Sequence, residues 1–199
     1  MPSVRLKDLK PLDYSFYARD TIKAAKELLG KVLVHKEGKD SAAGIIVETE
    51  AYLGSNDPAS HAARKKTPRN SVMFGQPGKA YVYFIYGNHF CVNAVAHDGY
   101  AGAVLIRALE PVLGIGIMKK RRKQEDLQAL TNGPGKLAQA LGITRIHNEK
   151  DLVKSNFYIA DAGIKIRLQQ IAASGRIGIK EAEEMQYRFY IKGNKFVSR

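Results

Sequence analysis

The segment IIVETEAYLG, residues 45–54, predicts a long strand over residues 44–53 that carries two acids. Side chains alternate between the two faces of a strand, so the even-numbered positions are expected to share one face. That face holds Ile46, Glu48, Glu50 and Tyr52, and the opposite face holds Val47, Thr49 and Ala51. Two interpretations remain open: an exposed face paired with lysines and arginines, or acids prepared for proton transfer beside an aromatic wall. The pattern does not choose between the two acids.

A second segment, AYVYFIYGNHFCVNAVA at residues 80–96, predicts a β-hairpin with its turn at residues 86–89. The Gly-Asn pair in that turn is a favourable one. Tyr81 and Tyr83 are expected on one face of the first strand, where tyrosines usually serve packing within the core. Tyr86 differs because it lies at the hairpin tip, where a large apolar side chain is unfavourable unless something covers it. In an enzyme that acts on nucleic acid, the covering group can be a stack of bases.

Short helices and strands fill the rest of the chain, and no repeat, low-complexity segment or linker divides it. Apolar spacing and end signals predict helices over residues 21–30, 111–125, 133–142 and about 181–187. Further strands are predicted over residues 31–35 and 103–109, the second ending at Glu110-Pro111. Residues 1–19 are expected to form an N-terminal arm. The whole chain, residues 1–199, is therefore expected to be one mixed domain of helices and strands.

The net charge of the chain indicates a polyanionic partner. There are 32 Lys and Arg against 19 Asp and Glu, which gives a formal charge of +13. Nucleic acid is the first candidate for such a partner and an anionic membrane surface the second. A basic protein that has neither partner is the third interpretation. The run Lys119–Lys123 ends a predicted helix, and a solvated helix terminus is preferred slightly over direct contact with nucleic acid.

Several classes of site are disfavoured by the sequence. One cysteine excludes an internal disulfide, and the scattered histidines make no zinc pattern, so no metal is expected. No window reaches about 18 apolar residues, and the N-terminus lacks the apolar stretch of a signal peptide, so an intracellular protein is expected. Leu130 replaces the glycine that a nucleotide-binding P-loop would need. The helix start beside Lys136 is nevertheless able to hold one phosphate of DNA.

Six motifs follow one another in order over most of the chain. They are VETEAYLG at 47–54 followed by His61, TPRN at 67–70 with MF at 73–74, YVY at 81–83 through YG at 86–87, FCVN at 90–93, LIRALEP at 105–111 and GPGKL at 133–137. Together they resemble the alkyladenine (3-methyladenine) DNA glycosylase family, and the resemblance covers roughly residues 15–195. The segment around Lys66 is one residue shorter than the family form, and Gly135 replaces a hydroxyl residue. These departures concern individual phosphate contacts.

The resemblance implies a role for each matched residue. Glu50 matches the general base that activates water, Arg107 matches a residue that helps to position that water, and Glu48 then becomes structural. The residues matched to contacts with the damaged base are Tyr52, His61, Tyr83, Asn93 and Leu105. Of these, Asn93 is implied to disfavour the exocyclic amine of guanine. The residues matched to contacts with DNA are Tyr86, as a minor-groove wedge, Arg69, Met73, Gly135 and Lys136.

The resemblance also implies a fold and an activity. The fold is α+β, a single mixed domain around a curved, mainly antiparallel β-sheet with a protruding β-hairpin and short surrounding helices. The activity is hydrolysis of the N-glycosidic bond of alkylated or deaminated purines, of the 3-methyladenine, hypoxanthine and ethenoadenine type, without strand cleavage. No cofactor is expected. The implied partner is double-stranded DNA with damaged purines, bound by a monomer away from membranes, in a bacterial cytoplasm and nucleoid or in a nucleus.

Two other functions are weighed against this one. A non-catalytic nucleic-acid binder would use the tyrosines as stacking platforms, but it has no use for Glu50 beside them. A retaining glycosidase built on Glu48 and Glu50 would place its carboxyls about 5–5.5 Å apart. Such an enzyme would need neither a charge of +13 nor a tyrosine at a hairpin tip.

Overall fold

One sheet of nine strands organises the computed structural model, which describes residues 5–85, 87 and 89–198. The strands are β1 (Lys10–Pro11), β2 (Val32–Glu37), β3 (Asp40–Leu53), β4 (Ala80–Ile85), β5 (His89–Val95), β6 (Gly102–Leu113), β7 (Phe157–Asp161), β8 (Ile171–Ser174) and β9 (Arg188–Ile191). Their order is β1-β7-β2-β3-β6-β5-β4, and β9 pairs with both β3 and β8. Every pair is antiparallel. The predicted α+β fold around a mainly antiparallel sheet is confirmed.

Four α-helices accompany the sheet in the described part of the chain. They are α1 (Tyr14–Tyr17), α2 (Thr21–Glu27), α3 (Ile115–Arg122) and α4 (Pro134–Leu141). As predicted, Asp20 caps α2 by accepting a hydrogen bond from the Lys23 N–H at 2.7 Å, and Gly142 ends α4 with φ 71°. The segment expected to be an arm contributes β1 and α1, and Phe16 and Tyr17 within it are buried.

Strand β3 lies inside the sheet because both of its edges are covered. Residues 40–45 pair with β2 on one edge, and residues 48–50 pair with β9 on that same edge. Strand β6 covers the other edge over most of its length. Glu48 and Glu50 are consequently both 0% exposed.

An irregularity in the pairing of β3 with β6 changes which side chains share a face. Val47 in β3 and Arg107 in β6 each lie between paired positions without a partner of their own. Such bulges insert one residue into a strand and reverse the alternation beyond it. Ile46 consequently packs in the same apolar cluster as Ala51, on the face opposite Glu50. The prediction that Ile46 shares a face with the acids is therefore wrong.

The two faces of the sheet bury separate apolar clusters. One face packs against the helices through Leu28 at the C-cap of α2, Met118 of α3 and Leu137 of α4. On the other face, Phe196 near the end of the chain covers the valines of β2 and β3. A smaller cluster that includes Met73 lies beneath the loop between β3 and β4. These contacts hold that loop against the sheet.

Two predicted boundaries around the end of β6 are wrong. The strand does not end at Glu110-Pro111 but continues to Leu113. Strand β5 pairs only with residues 103–105 of β6, so the proline lies where β6 has a neighbour on one side, and a proline is tolerated there. The next helix begins only at Ile115, because Gly114 has a left-handed φ of 71° and a Cβ there would come within 2.1 Å of a carbonyl oxygen.

The helix predicted near residues 181–187 is also wrong, since the structure has turns and irregular backbone there. Ala182 has a φ of 56°, which a right-handed helix does not accommodate. The carbonyl of Tyr187 accepts a hydrogen bond from the Ala51 N–H at 2.8 Å. This hydrogen bond holds the end of the segment beside β3, in a backbone conformation that is not helical.

Two buried histidines connect β2 to the segment after α4. Nδ1 of His35 lies 2.7 Å from the carbonyl oxygen of Leu141, and Nε2 of His35 lies 3.1 Å from Nε2 of His147. Since a carbonyl only accepts, His35 donates from Nδ1 and accepts through Nε2 from His147. Nδ1 of His147 accepts from the Thr144 N–H at 3.0 Å. His147 is neutral in this arrangement, and burial, reinforced by His35, lowers the pKa of His147.

Acidification is expected to destabilise the fold through His147. A histidine whose pKa is lower in the folded than in the unfolded state binds its proton more tightly when unfolded, so the free energy of unfolding decreases as the pH falls below the unfolded pKa. Urea denaturation between about pH 7.5 and 5.5 should show a decrease of up to about 1.4 kcal/mol per unit of pKa lowering. His147→Gln should weaken this dependence, and equal pH dependence in both proteins would contradict the interpretation.

Candidate active site

One row of paired residues crosses four strands. Glu50 of β3 pairs with Leu105 of β6, Leu105 pairs with Asn93 of β5, and Asn93 pairs with Tyr81 of β4. Directly paired side chains in an antiparallel sheet stand on the same face. The sheet therefore brings an acid, an amide and a tyrosine from three separate parts of the sequence into one line.

A cavity of about 1130 Å³ opens over this row. Its volume is at or just above the roughly 300–1,000 Å³ of most small-molecule sites. The predicted site residues that line it are Tyr52, His61, Arg69, Met73, Tyr83, Asn93, Leu105, Arg107, Gly135 and Lys136. Glu50 lies directly behind this lining, because the groups that contact its carboxylate belong to residues of the cavity wall. Tyr86 lies outside the described residues.

Within the described residues, three donors hold the Glu50 carboxylate. The Tyr52 hydroxyl donates to Oε2 at 2.8 Å, and Nη1 of Arg107 donates to the same oxygen at 3.2 Å. The backbone N–H of Ile177 donates to Oε1 at 2.8 Å. A carboxylate has about four acceptor sites, so this arrangement leaves room for one more donor, such as water. Glu50 is thus an acceptor fixed by three donors that belong to the wall of the cavity.

Glu48 is held by a different and fuller set of donors. Its Oε1 accepts from Nε of Arg107 at 3.0 Å, from Nε of Arg188 at 2.6 Å and from the Ser198 hydroxyl at 2.8 Å. Its Oε2 accepts from the Ser198 N–H at 2.7 Å. Glu48 does not line the cavity. It is therefore badly placed to act as the second carboxylate of a retaining glycosidase.

Sequence reasoning missed Arg188 and Ser198. They are 140 and 150 residues away from Glu48 along the chain. No short motif links an acid to a partner at that separation. The pairing of β9 with β3 was the information needed to find them.

Arg107 bridges the two acids and also lines the cavity. Burial disfavours its charged form, but Glu50 and Glu48 outweigh that effect and raise the pKa of Arg107. The guanidinium consequently stays charged. The bulge at this position directs the side chain to the cavity face, which is a common use of bulges beside functional sites.

Aromatic side chains form the walls of the cavity. Burial raises the pKa of Tyr52 and the pKa of Tyr83 far above the usual range of tyrosine, so both phenols stay protonated. The His61 and Tyr83 rings meet edge to face, with centroids 4.8 Å apart. Burial, followed by the charge of Arg69, lowers the pKa of His61. The three rings of this wall are therefore uncharged near neutral pH.

Tyr81 and Asn70 support the site, although sequence reasoning assigned them no role in it. The Tyr81 hydroxyl lies 2.8 Å from Nδ1 of His61. The backbone carbonyl of Tyr81 accepts a hydrogen bond from Nδ2 of Asn93 at 2.9 Å. Burial raises the pKa of Tyr81 to about 12. The side-chain amide of Asn70 connects two parts of the loop between β3 and β4. Its Oδ1 accepts a hydrogen bond from the Thr67 N–H at 2.6 Å, and its Nδ2 donates to the His61 carbonyl at 2.6 Å. Both residues fix the orientation of His61.

Positive side chains also line the cavity, and they come from three segments. They are Arg64, Lys65, Arg69, Lys136 and Lys180. Helix α4 begins at the cavity with Pro134, and its first N–H groups are suited to an anion. A Cβ at Gly135 would come within 2.9 Å of the His89 side chain, so glycine allows α4 to approach the hairpin closely.

The basic run Lys119–Lys123 has partners in the protein itself. Nη1 of Arg121 donates to the Ala140 carbonyl at 3.3 Å, and Nε of Arg122 donates to the Leu130 carbonyl at 3.2 Å. Arg121 thereby connects α3 to α4, and Arg122 connects α3 to the segment that precedes α4. A solvated helix terminus is therefore an incomplete description of the run.

In residues 5–85, 87 and 89–198, no group of three or more His, Cys, Asp or Glu side chains is arranged to hold a metal ion. None of the helices in this part combines the length and the apolar character that a membrane span requires.

Comparison with known proteins identifies the family. The model of the methylpurine-DNA glycosylase (MPG) family matches residues 15–195. The chain belongs to the methylpurine-DNA glycosylase family. The family resemblance read from the six motifs is thereby confirmed.

Relatives of this glycosylase family match nearly the whole chain. A protein of Koribacter versatilis is 47% identical over 204 residues, covering 100% of this chain and 98% of its own length. A protein of Prosthecochloris aestuarii is 49% identical over 186 residues, covering 92% and 89% respectively. A protein of Methanoculleus marisnigri is 49% identical over 191 residues, covering 94% and 98%. Each is named, provisionally, a 3-methyladenine DNA glycosylase.

Replacement of Glu48 by Gln is expected to destabilise the protein strongly. All of its described partners are donors, so the amide NH₂ would face an N–H or a guanidinium and leave a buried cation unpaired. Breaking a buried pair in this way costs about 3–5 kcal/mol. Urea denaturation measures the loss, and the exposed Glu184→Gln is the control, with an expected change within about 0.5 kcal/mol. Equal stability of the two variants would contradict the structural role of Glu48.

Proposed function

We propose that this protein is a monofunctional DNA glycosylase that removes alkylated or deaminated purines from double-stranded DNA. The damaged nucleotide, of the 3-methyladenine, hypoxanthine or ethenoadenine type, is flipped into the cavity, and its N-glycosidic bond is hydrolysed. One observation carries the proposal: the buried Glu50–Arg107 pair stands directly behind an aromatic cavity lined with cations. Membership of the methylpurine-DNA glycosylase family supports it.

The aromatic wall is suited to an alkylated purine. Alkylation at N3 or N7 gives the base a positive charge, and a cation over an aromatic face gains about 0.5–2 kcal/mol. Tyr52 and Tyr83 offer such faces. His61 is neutral, so it adds no positive charge that would repel the base. Extrusion of a base costs a few kcal/mol, and least for damaged or poorly paired bases.

Asn93 and Leu105 are proposed to select among purines. They are paired across β5 and β6 and lie in the row that includes Glu50. The Asn93 amide is buried and held by the Tyr81 carbonyl, so it moves little. A rigid amide at this place crowds the exocyclic amine of guanine. Adenine-derived bases and hypoxanthine lack that amine.

The chemical step is a displacement by water at C1′ of the sugar. Glu50 accepts a proton from the water as its oxygen bonds to C1′, and the C1′–N bond breaks with its electron pair leaving on the base. A base that is cationic before the step leaves as a neutral molecule. The Glu50 carboxylate also faces the positive charge that develops on the sugar. Arg107 holds this carboxylate and, because it lines the cavity, contributes to placing the water.

The proposed reaction leaves the DNA strand intact. Strand cleavage by a glycosylase requires an amine that attacks C1′. Among the described residues, the groups that contact Glu50 are a phenol, a guanidinium and a backbone N–H.

Borohydride added during the reaction should therefore trap no covalent adduct between protein and DNA. An adduct formed through Lys136 or Lys180 of the cavity would contradict this prediction.

The cations of the cavity are proposed to bind phosphates next to the flipped nucleotide. Arg69 and Lys136 supply charge, the first turn of α4 at Gly135 supplies N–H groups, and Met73 lines the same cavity. Tyr86, which lies outside the described residues, stays the proposed wedge. Each lost phosphate contact reduces the slope of log K against log salt by about 0.9.

Replacement of Lys136 by Ala should therefore weaken binding to damaged and undamaged duplexes alike, with a shallower salt dependence. Fluorescence anisotropy between about 50 and 200 mM salt measures both quantities. The matched control is Lys39→Ala, in the turn between β2 and β3, which does not line the cavity. An unchanged slope for Lys136→Ala would remove that side chain from the proposed interface.

Single-turnover release of the base from hypoxanthine and ethenoadenine duplexes, and from methylated DNA, tests the activity itself. Wild type should release at least one of these bases. Glu50→Gln should reduce the rate by about 10²–10⁴-fold, because general base catalysis is worth that much, while DNA binding persists. Glu48→Gln, assayed under conditions in which the variant is folded, should lose far less activity than Glu50→Gln.

Three outcomes would revise the proposal. No release by wild type from any of these substrates would overturn the activity. Release lost in Glu48→Gln and kept in Glu50→Gln would move the catalyst to the other acid. Loss of DNA binding in Glu50→Gln would mean that the slower release reports binding instead of chemistry.

A further inference from the structure

Another buried ion pair lies next to the site, and the proposed reaction does not use it. Nη1 and Nη2 of Arg176 donate to the two carboxylate oxygens of Asp57 at 2.6 and 2.7 Å. Both side chains are 0% exposed. Bidentate pairing of this kind fixes the plane of the guanidinium. Burial of two charges costs free energy unless they are well paired, so the short bidentate geometry is needed to keep this pair inside the protein.

The ion pair is anchored to the end of β3. Asp57 accepts from the Leu53 N–H at 3.0 Å, and Nη1 of Arg176 also donates to the Ala51 carbonyl at 3.0 Å. Strand β9 pairs with β3 only as far as Glu50. The Arg176 side chain therefore satisfies a carbonyl of β3 just beyond the point where strand pairing stops.

Arg176 is adjacent to two of the three donors that hold Glu50. Its guanidinium carbon lies 4.7 Å from the centroid of the Tyr52 ring, and the Tyr52 hydroxyl donates to Oε2 of Glu50. The next residue in the chain, Ile177, donates its backbone N–H to Oε1. The third donor, Arg107, reaches Glu50 from β6. One side chain thus supports a donor on each oxygen of the carboxylate.

The segment that carries Arg176 has few other ties to the protein. Residues 177–181 line the cavity. In the described part of the chain, residues 175–181 reach distant elements through the hydrogen bonds of Arg176 and Ile177. The ion pair of Glu181 with Arg64 is 3.8 Å long and has exposed partners, so it contributes little. The position of this cavity wall therefore depends on residue 176.

We infer that Arg176 is a positioning residue for Glu50, and this inference rests on the proposed glycosylase function. Its clamp on Asp57 and Ala51 holds the Ile177 N–H and the Tyr52 hydroxyl against the carboxylate. The clamp thereby fixes the direction in which Glu50 accepts a proton from water. It also keeps both oxygens of the Glu50 carboxylate supplied with donors.

Arg176→Lys is the sharpest test, because Lys keeps the positive charge beside Asp57 but cannot make the paired hydrogen bonds. Single-turnover release of hypoxanthine at saturating enzyme should slow roughly 10–100-fold, as expected for a displaced catalytic group. The enzyme concentration at half-saturation should change less than about threefold, because no DNA contact is removed. The acidic limb of the pH–rate profile should also shift, because the donors on Glu50 are displaced, whereas loss of a purely structural ion pair would leave the profile unchanged.

Two further variants separate positioning from stability. Asp57→Asn should reproduce the slower release and the shifted acidic limb, and its effect should not add fully to that of Arg176→Lys, since both act through one pair. Phe157→Leu, in the buried part of β7, should lower the melting temperature. It should leave the rate per folded molecule and the pH profile as in wild type.

Two outcomes would overturn the positioning role of Arg176. Wild-type rate and pH profile in Arg176→Lys, whatever its melting temperature, would overturn the inference. Failure of both Arg176→Lys and Asp57→Asn to fold would also overturn it, in favour of a purely structural ion pair. Neither result affects the proposed function, which fails when wild type itself releases no base.

Discussion

The guanidinium of Arg107 lies between two buried carboxylates, and the surrounding architecture supplies the donors that this arrangement requires. Two ionised acids inside a sheet are very unfavourable unless every acceptor finds a partner. The partners come from separate elements: Arg188 from β9, Ser198 from the end of the chain, and the segment between β8 and β9. Packing of residues 177–198 against β3 is thus tied to the carboxylates of Glu48 and Glu50.

The two acids differ in what their neighbours leave available. Glu48 is surrounded by donors and sealed from the cavity, so it holds structure together. Glu50 has one acceptor site to spare, and its partners form the cavity wall. The walls around it combine neutral phenols and a neutral imidazole with cationic side chains, Arg107 among them. The proposed substrate, a base that carries positive charge, fits the aromatic faces of such a site, and the excess of basic residues fits the proposed binding to DNA.

Much of this protein was readable from the sequence by itself. The strand over residues 44–53, the hairpin, the Asp20 cap and the Gly142 stop were predicted because each depends on neighbours within a few positions. The family was readable because its motifs occur in order over most of the chain. The residues predicted for base and DNA contacts are largely those that line the cavity, because those motifs lie on strands and loops that converge there.

Other features were decided only by the tertiary structure. The bulge that places Ile46 on the face opposite the acids depends on the register between β3 and β6. The alternation of apolar and polar residues within one strand does not predict it. Which acid borders the cavity depends on donors such as Arg188, which is 140 residues from Glu48. Arg176 is held in place because the Ala51 carbonyl needs a donor just beyond the point where the pairing of β3 with β9 stops. Buried charges and unpaired backbone groups are satisfied across the fold, so their partners are set by three-dimensional packing and not by local sequence.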